Sequence, residues 1–469
     1  MQRQQRFSSA EAYRRLMEEN SSESEENEEN ESDGSESDAV IEDPDSELEM
    51  EISMEENSMH GHGDSLQNPV SIESYIMVSK DGQERWSNVP LQENHHVRPR
   101  PQNILRERQG PTQAARNVCG LSPEHAFKIF MSHQIVQKIV DFTNLEGQNR
   151  FPNWIPTTVE EMYCFFGVLL MAGAFHDNKT RVSEMWSAEG RQIYNQCMSR
   201  NRFTELMTCI RFDDRRQRNS GDKFSPLRNI FSEVVTNFKS AYRAGSSVTV
   251  DEQLVKFRGR CSFKMYIPSK PGKYGIKLWA LADAETFYCL NLLPYVGRTG
   301  NVPERQQGKR VALELTEMLT GSGRNIYMDN FFSSLLLARI LLGRQLTMTG
   351  TMRKNKPELP KEMLPNPHRE IKSSNFGFQK DVGIVSYVPK RNKAVILIST
   401  QFLSNDISEE EHKKPEVILE YNHCKGGVDT LDQLLRTYNC IRKCNRWPLA
   451  VFMNLLNISA YNALVLFLR

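Results

Sequence analysis

Val248-Thr249-Val250-Asp251-Glu252-Gln253-Leu254-Val255 is the stretch on which the fold turns, because the chain changes character on either side of it. Its β-branched and apolar residues predict a strand. Before it, from about 118 to 246, apolar residues recur at helical spacing. Ser122-Pro123-Glu124-His125 opens a helix with a cap, a first-turn proline and an acid, and Phe127, Ile129, Phe130, Ile135, Ile139 and Val140 then share one side. Similar patterns fill 157–175 and 226–243, so 118–246 reads as a helical block. After it, Lys277–Ala282 and Phe287–Tyr295 predict two more strands, joined by a hairpin turn at Asp283-Ala284-Glu285-Thr286. A helix at 309–320 ends near Gly321 and Gly323, and Asn325–Phe332 predicts a strand. A helix at 333–343 and a strand at 346–352 follow. A three-strand meander, then helix, strand, helix, strand, describes an α/β unit: a mixed sheet flanked by helices, from 247 to 352. The Pro/Lys-rich span 353–416 carries apolar runs at Val382–Val388 and Ala394–Thr400 and reads as a β-rich insertion. Helical periodicity resumes after Gly427 and continues to the end.

The 469 residues suffice for two or three domains, and 39% apolar with 25% charged residues suits a globular protein rather than a fibre. A formal net charge of zero hides an asymmetry. Residues 1–64 hold 21 Asp/Glu against 4 Lys/Arg, so the rest of the chain holds 55 Lys/Arg against 38 Asp/Glu. That acidic arm has few large apolar residues and cannot bury enough surface to offset its ordering entropy, which predicts disorder. Residues 66–117 read as a linker with a basic patch at Arg98, Arg100, Arg106 and Arg108; together 1–117 form an acidic arm and a basic linker. A basic body points to a polyanion partner, although a solubilising tail on a mildly basic fold gives the same totals. The nine cysteines include no Cys-x-x-Cys pair, and Cys440 and Cys444, at i, i+4 on a helix, read as buried thiols rather than metal ligands. Reduced cysteines suit the cytosol or nucleus. The N-terminus has no apolar signal core. Pro448–Leu468 is long and apolar enough to invite a membrane reading, but Asn454, Asn457, Ser459 and Asn462 are spaced around it, which favours a buried helix and no membrane.

Three aspartates stand out by setting. Asp251 lies within the first strand, Asp329 at the end of Asn325-Ile326-Tyr327-Met328, and Asp429 after Lys425-Gly426-Gly427-Val428 at the start of a helix. Singly, each has a structural explanation as a turn residue or an N-cap. Together, two neighbouring strands and a helix start can bring three carboxylates to one edge. Like charges about 4 Å apart repel by about 4 kcal/mol at an effective dielectric near 20, so such a set needs a cation. Hard oxygen donors favour Mg²⁺ or Mn²⁺, and two such ions are suited to phosphodiester chemistry. Glu252 points to the other face of its strand, and Asp283 reads as a turn residue only. No Walker loop, serine elbow or His-Glu-x-x-His is present.

The cations of the next segment, Arg258, Arg260, Lys264, Lys270, Lys273 and Lys277, are interleaved with Phe257, Phe263, Tyr266 and Tyr274. Cations track phosphates and aromatics stack on bases; the alternative is a hairpin with its rings packed inward and its charges solvated. Arg442, Lys443, Arg446 and Trp447 form a second candidate, in which Trp447 is equally an anchor of the helical core.

Val250-Asp251-Glu252-Gln253-Leu254 with Phe257-Arg258-Gly259-Arg260-Cys261 and the run to Lys277 resembles the first catalytic block of piggyBac transposases. Tyr327-Met328-Asp329-Asn330-Phe331-Phe332 resembles the second, and Lys425-Gly426-Gly427-Val428-Asp429 with Arg442-Lys443-Cys444-Asn445-Arg446-Trp447 the third. The similarity runs from about 118 to the end in the family's order. It implies an RNase H-like catalytic domain (247–352, closed by 417–436) with the triad Asp251, Asp329 and Asp429 on two Mg²⁺ or Mn²⁺ ions, interrupted by the β insertion. It also implies a discontinuous all-α domain, 118–246 with 437–469, that dimerises and holds double-stranded DNA. Asp432 matches a further acidic position, to support metal or as a solvated helix residue. Family members excise elements at TTAA through a 3′-hydroxyl and a hairpin intermediate, which implies transposon ends and TTAA targets as partners, a homodimer and a nuclear location. Many members continue into a cysteine-rich zinc-binding domain that helps recognise transposon ends; this sequence stops at Arg469. Two expectations therefore stand: a DNA strand-cleaving and strand-transfer enzyme, and a catalytically inactive, domesticated DNA- or chromatin-binding protein.

Overall fold

The computed structural model describes residues 41–42, 74–91, 104–105, 107–120, 122–268, 270–297 and 304–469. The acidic arm, Ile41 and Glu42 apart, lies outside the described residues, as do Arg98, Arg100 and Arg106 of the linker. After the two-residue strand Ile41–Glu42, which pairs parallel with Met265–Tyr266, come two short strands, β1 (Ile76–Val78) and β2 (Arg85–Ser87). The main helices of the following block are α1 (Pro123–Phe130), α2 (His133–Arg150), α3 (Val159–Ala174), α4 (Arg200–Cys209) and α5 (Arg228–Ala241). A hydroxyl starts most of them: Ser122, Ser132, Thr158 and Ser199 accept from the backbone N–H of His125, Ile135, Glu161 and Arg202, satisfying donors that the first turn leaves without partners.

Strand β3 (Ser247–Lys256) pairs antiparallel with β4 (Tyr274–Asp283), which pairs with β5 (Cys289–Pro294). The turn between β4 and β5 is tied by Asp283, whose carboxylate accepts from the backbone N–H of Gly245, Glu285 and Thr286. Next come α6 (Gln307–Leu315), β6 (Asn325–Met328), α7 (Leu335–Gly343) and β7 (Thr347–Thr351). Strand β6 runs parallel to both β3 and β7. The order β5-β4-β3-β6-β7, antiparallel then parallel, is consistent with an RNase H-like fold. Strand β6 is shorter than its apolar run because Asp329 turns the chain, its Oδ1 accepting from Phe331 N–H at 3.0 Å.

The β-rich span after β7 does not form a sheet of its own. Its strands β8 (Ser374–Phe378), β9 (Gly383–Tyr387) and β10 (Val395–Ser399) extend the central sheet, β10 pairing with β7, β9 with β10, and β8 with β9 and β2. The edge strand β7 offers an open row of backbone groups that β10 satisfies. Helices α8 (Glu416–Cys424), α9 (Gly427–Thr437) and α10 (Trp447–Leu468) close the chain. The expected unbroken helical run is interrupted: residues 438–446 are not helical, so Cys440 and Cys444 share no helix face. Cys440 is buried, Cys444 half-buried, and both are free thiols.

Helix α10 packs against α1, α3 and α5, so helices from before and after the sheet form one body. By length and composition it is apolar enough to cross a membrane, yet 72% of its most apolar stretch is buried within the protein. Its amides explain the placement. Asn462 brackets the N–H and C=O of Cys289 on β5, Asn457 accepts from Cys440 N–H, and Asn454 donates to Gln253 on β3.

Helix α9 lies close on β3 because position 427 has no side chain. A Cβ there would meet Thr249 Oγ1 at 2.7 Å, and that hydroxyl already donates to Cys424 C=O at 2.9 Å. Gly427→Ala is therefore expected to destabilise the protein by about 1–3 kcal/mol, the usual cost of overpacking, as read by urea denaturation; a variant of wild-type stability contradicts the close approach.

Candidate active site

The register between β3 and β6 pairs Val250 with Met328. The next residues are Asp251, still within β3, and Asp329, directly after the end of β6, so both leave the same pair. Asp429 comes from the first turn of α9, held against Thr249 by Gly427. All three line one cleft of about 450 Å³, beyond the end of β6 and bordered by Arg353, Lys354 and Lys425. In open α/β sheets this edge, past the carboxyl ends of parallel strands, is where ligands bind.

Charge is concentrated here. Burial raises the pKa of Asp251 well above the carboxylate range, and Glu252, Asp429 and Asp329 push the same way while Lys270 opposes them. Lys270 donates to Asp429 Oδ1 at 2.9 Å. Burial works against its charge, but Asp251, Asp429 and Glu252 together hold the ammonium pKa above its ordinary value. Among the described residues, no three His, Cys, Asp or Glu side chains are gathered into a group that would hold a metal ion as they stand. The three carboxylates share a cleft, and the cation that faces two of them is Lys270.

Asp432, one turn further along α9, accepts from Gln253 Nε2 at 2.5 Å, and Gln253 in turn accepts from Asn454. Burial is the main cause that lifts its carboxyl to about 6. The folded chain then keeps a proton that the unfolded chain has released, so stability falls as pH rises from about 4 to about 6, by up to about 3 kcal/mol. Asp432→Asn cannot ionise and is expected to flatten this slope and to be the more stable protein at neutral pH. Urea melts across that window check it; parallel pH profiles for the two proteins would contradict it.

The residues expected to contact DNA divide into two sets. Arg258, Arg260, Lys273 and Lys443 are exposed, and Tyr274 is half-buried beside Tyr266, their rings 4.8 Å apart. Lys264 is half-buried and donates to Gly259 C=O. The others brace the fold. Lys277 is buried over the Trp279 ring. Arg442 is buried with its guanidinium on the carbonyls of Asp177 and Thr180, and that of Arg446 binds the carbonyls of Met207 and Ile210. Lys270 is bonded to Asp429 at the acidic cleft. Phe257 and Phe263 are buried, and Phe263 packs edge-on against Trp447 at 5.0 Å, so Trp447 is an anchor of the core. Sequence reasoning passed over Arg353 and Lys354, which follow β7 as Asp329 follows β6. The signal was present as a basic run directly after a strand of the mixed sheet.

A family profile described as Transposase IS4 matches residues 122–464. PiggyBac transposable element-derived protein 3 of Homo sapiens is 24% identical over 345 residues, 70% of this chain and 58% of that protein. PiggyBac transposable element-derived protein 2 of Homo sapiens is 22% identical over 346 residues with the same coverage. The chain thus spans 58% of the length of these curated relatives. A solved piggyBac transposase, in a synaptic complex with hairpin DNA, is 37% identical with a TM-score of 0.72 over 77% of each chain.

Proposed function

Because the chain belongs to the IS4-type transposases, in their piggyBac branch, we propose that it cleaves and rejoins DNA phosphodiesters at TTAA with Asp251, Asp329 and Asp429 as its catalytic carboxylates. The observation that supports this is that Asp251 and Asp329 directly follow the paired residues Val250 and Met328 and line one cleft with Asp429. The three acids of the cleft are hard oxygen donors, with no His or Cys among the residues that line it, and they fit Mg²⁺ or Mn²⁺ by chemistry. When bound, a pair of such ions supplies Lewis acidity for the attacking and leaving oxygens. Asp251, Asp329 and Asp429 are the residues to hold them. Arg353, Lys354 and Lys425 border the cleft where a phosphate would lie and oppose its charge. Arg258, Arg260 and Lys273, with the Tyr266–Tyr274 pair, extend a cationic surface along which duplex DNA is held. The same reading makes the protein a nuclear homodimer that acts on transposon ends and target DNA.

A second reading, a domesticated DNA-binding protein without catalysis, is favoured by one observation: Lys270 is already bonded to Asp429, one of the three carboxylates. Incubation with a TTAA duplex in Mg²⁺ and in EDTA separates the two. Nicking at TTAA only with the ion is the expected result; duplex binding without nicking in either buffer supports the second reading.

A further inference from the structure

The basic side of the aspartate cleft is held by an element from far earlier in the chain. Arg353, Lys354 and Asn355, which line the cleft, belong to the segment that leaves β7. Within that segment Lys356 N–H reaches Arg353 C=O and Leu359 N–H reaches Lys356 C=O, while Pro357 and Pro360 have no N–H to give. Its carbonyls are taken up by the β1–β2 hairpin. Lys80 Nζ donates to Lys354 C=O and, at 3.3 Å, to Lys356 C=O. Asp81 N–H donates to Pro357 C=O, Trp86 Nε1 to Glu358 C=O and Lys80 N–H to Leu359 C=O. Ser79 and Pro360 form a further bridge. The hairpin is itself anchored: Trp86 is fully buried, and Glu84 binds Arg339 of α7 through both oxygens, at 2.8 and 2.7 Å. It lies before residue 122, where the family match begins.

We propose that Lys80 is a positioning residue for DNA cleavage: through the carbonyls of Lys354 and Lys356, its ammonium sets where the cations of this wall meet a substrate phosphate. This rests on the cleavage reading above. The other hairpin donors hold 357–359, beyond the lining of the cleft, with one hydrogen each. An ammonium has three hydrogens on a long stem, and it spends them on the carbonyls nearest the cleft. Lys354 is both acceptor and lining residue, so a shift of its carbonyl moves its side chain as well. On the other side Arg353 Nε donates to Asn330 Oδ1 at 3.0 Å, next to Asp329. The wall is thus strung between the neighbour of one catalytic aspartate and the tip of the hairpin. A displacement of about 1 Å at a reacting centre costs on the order of a hundredfold in rate. Lys80 is exposed, so replacing it leaves the core intact.

The test uses the full chain. Lys80→Met is expected to slow nicking of saturating TTAA duplex in Mg²⁺ by on the order of ten- to a hundredfold, with duplex affinity and the urea midpoint unchanged. Lys80→Arg, which keeps the charge and the donors, is expected to recover most of the rate. Amide hydrogen exchange without divalent ions is expected to quicken across 354–359 in Lys80→Met and to keep its wild-type rate in β7 and β8. Nicking by Lys80→Met at the wild-type rate overturns the inference, as does unchanged exchange across 354–359. A loss of rate that Lys80→Arg shares and that follows a lowered urea midpoint marks a merely structural brace and overturns it too. Wild-type protein that cuts no duplex removes the cleavage reading itself, and exchange then decides alone whether Lys80 sets the wall.

Discussion

Asp329→Asn is expected to slow cleavage of a TTAA duplex by on the order of 10³-fold, the scale of losing one preorganised charged group at a reacting centre, while the fold and duplex affinity remain. The substitution is informative because Asp329 has two separable roles. Its Oδ1 accepts from Phe331 N–H and turns the chain after β6; an asparagine oxygen does the same. Only the charge is removed, and with it the oxygen donor suited to a divalent ion. Asp251→Asn is expected to lose cleavage equally but to gain stability at neutral pH without divalent ions, since burial and the charges of Glu252, Asp429 and Asp329 all press against its ionised form. Asp283→Asn gives the contrasting result: its carboxylate accepts three backbone N–H groups, so stability falls while each folded molecule keeps its activity. Nicking rates with urea melts on the same preparations measure all three. Cleavage by Asp329→Asn at the wild-type rate would falsify the three-aspartate mechanism.

Much of this geometry is legible from residues because it depends on local rules. The β-branched run at 248–255 reads as a strand and the Ser122 cap announces its helix, whereas the turn at Asp329 cuts short a strand expected to run to Phe332. The sequence places Asp251 and Asp329 on strands that could neighbour each other, but the register that pairs Val250 with Met328 comes only from the folded sheet. Other features depend on contacts between distant residues. The strands at 374–399 look like a separate insertion, since nothing local shows that the edge of β7 is open to β10. Arg442 and Arg446 read as basic surface, but their guanidinium groups find backbone carbonyls of the helical block; a long cationic side chain does not disclose which way it turns. The line Asn454–Gln253–Asp432 joins three elements through residues that each look unremarkable in sequence. Lys270, expected as a DNA contact, is bonded to Asp429, a contact 159 residues away along the chain that nothing local discloses.

That placement gives the last expected result. Lys270→Met removes the ammonium that faces Asp251, Glu252 and Asp429 and leaves three acids opposing one another. Asp429 is 63% exposed, so water screens part of the repulsion, whereas the Lys270 side chain is 16% exposed and screened less. The cost therefore lies between that of a surface pair and that of a broken buried pair, about 1–3 kcal/mol of stability in EDTA. Mg²⁺ or Mn²⁺ binds the folded protein and stabilises it by linkage. The rise in Tm with the ion should be larger in Lys270→Met than in the wild type, because the ion replaces a missing cation instead of competing with a resident one, and smaller in Asp251→Asn. If Lys270 instead contacts DNA from the hairpin after β3, the pattern reverses: melting in EDTA and the ion-induced rise match the wild type, while duplex binding weakens with a shallower salt dependence. Melting curves of the three proteins with and without the ion, beside one salt series of duplex binding, decide which role the side chain has.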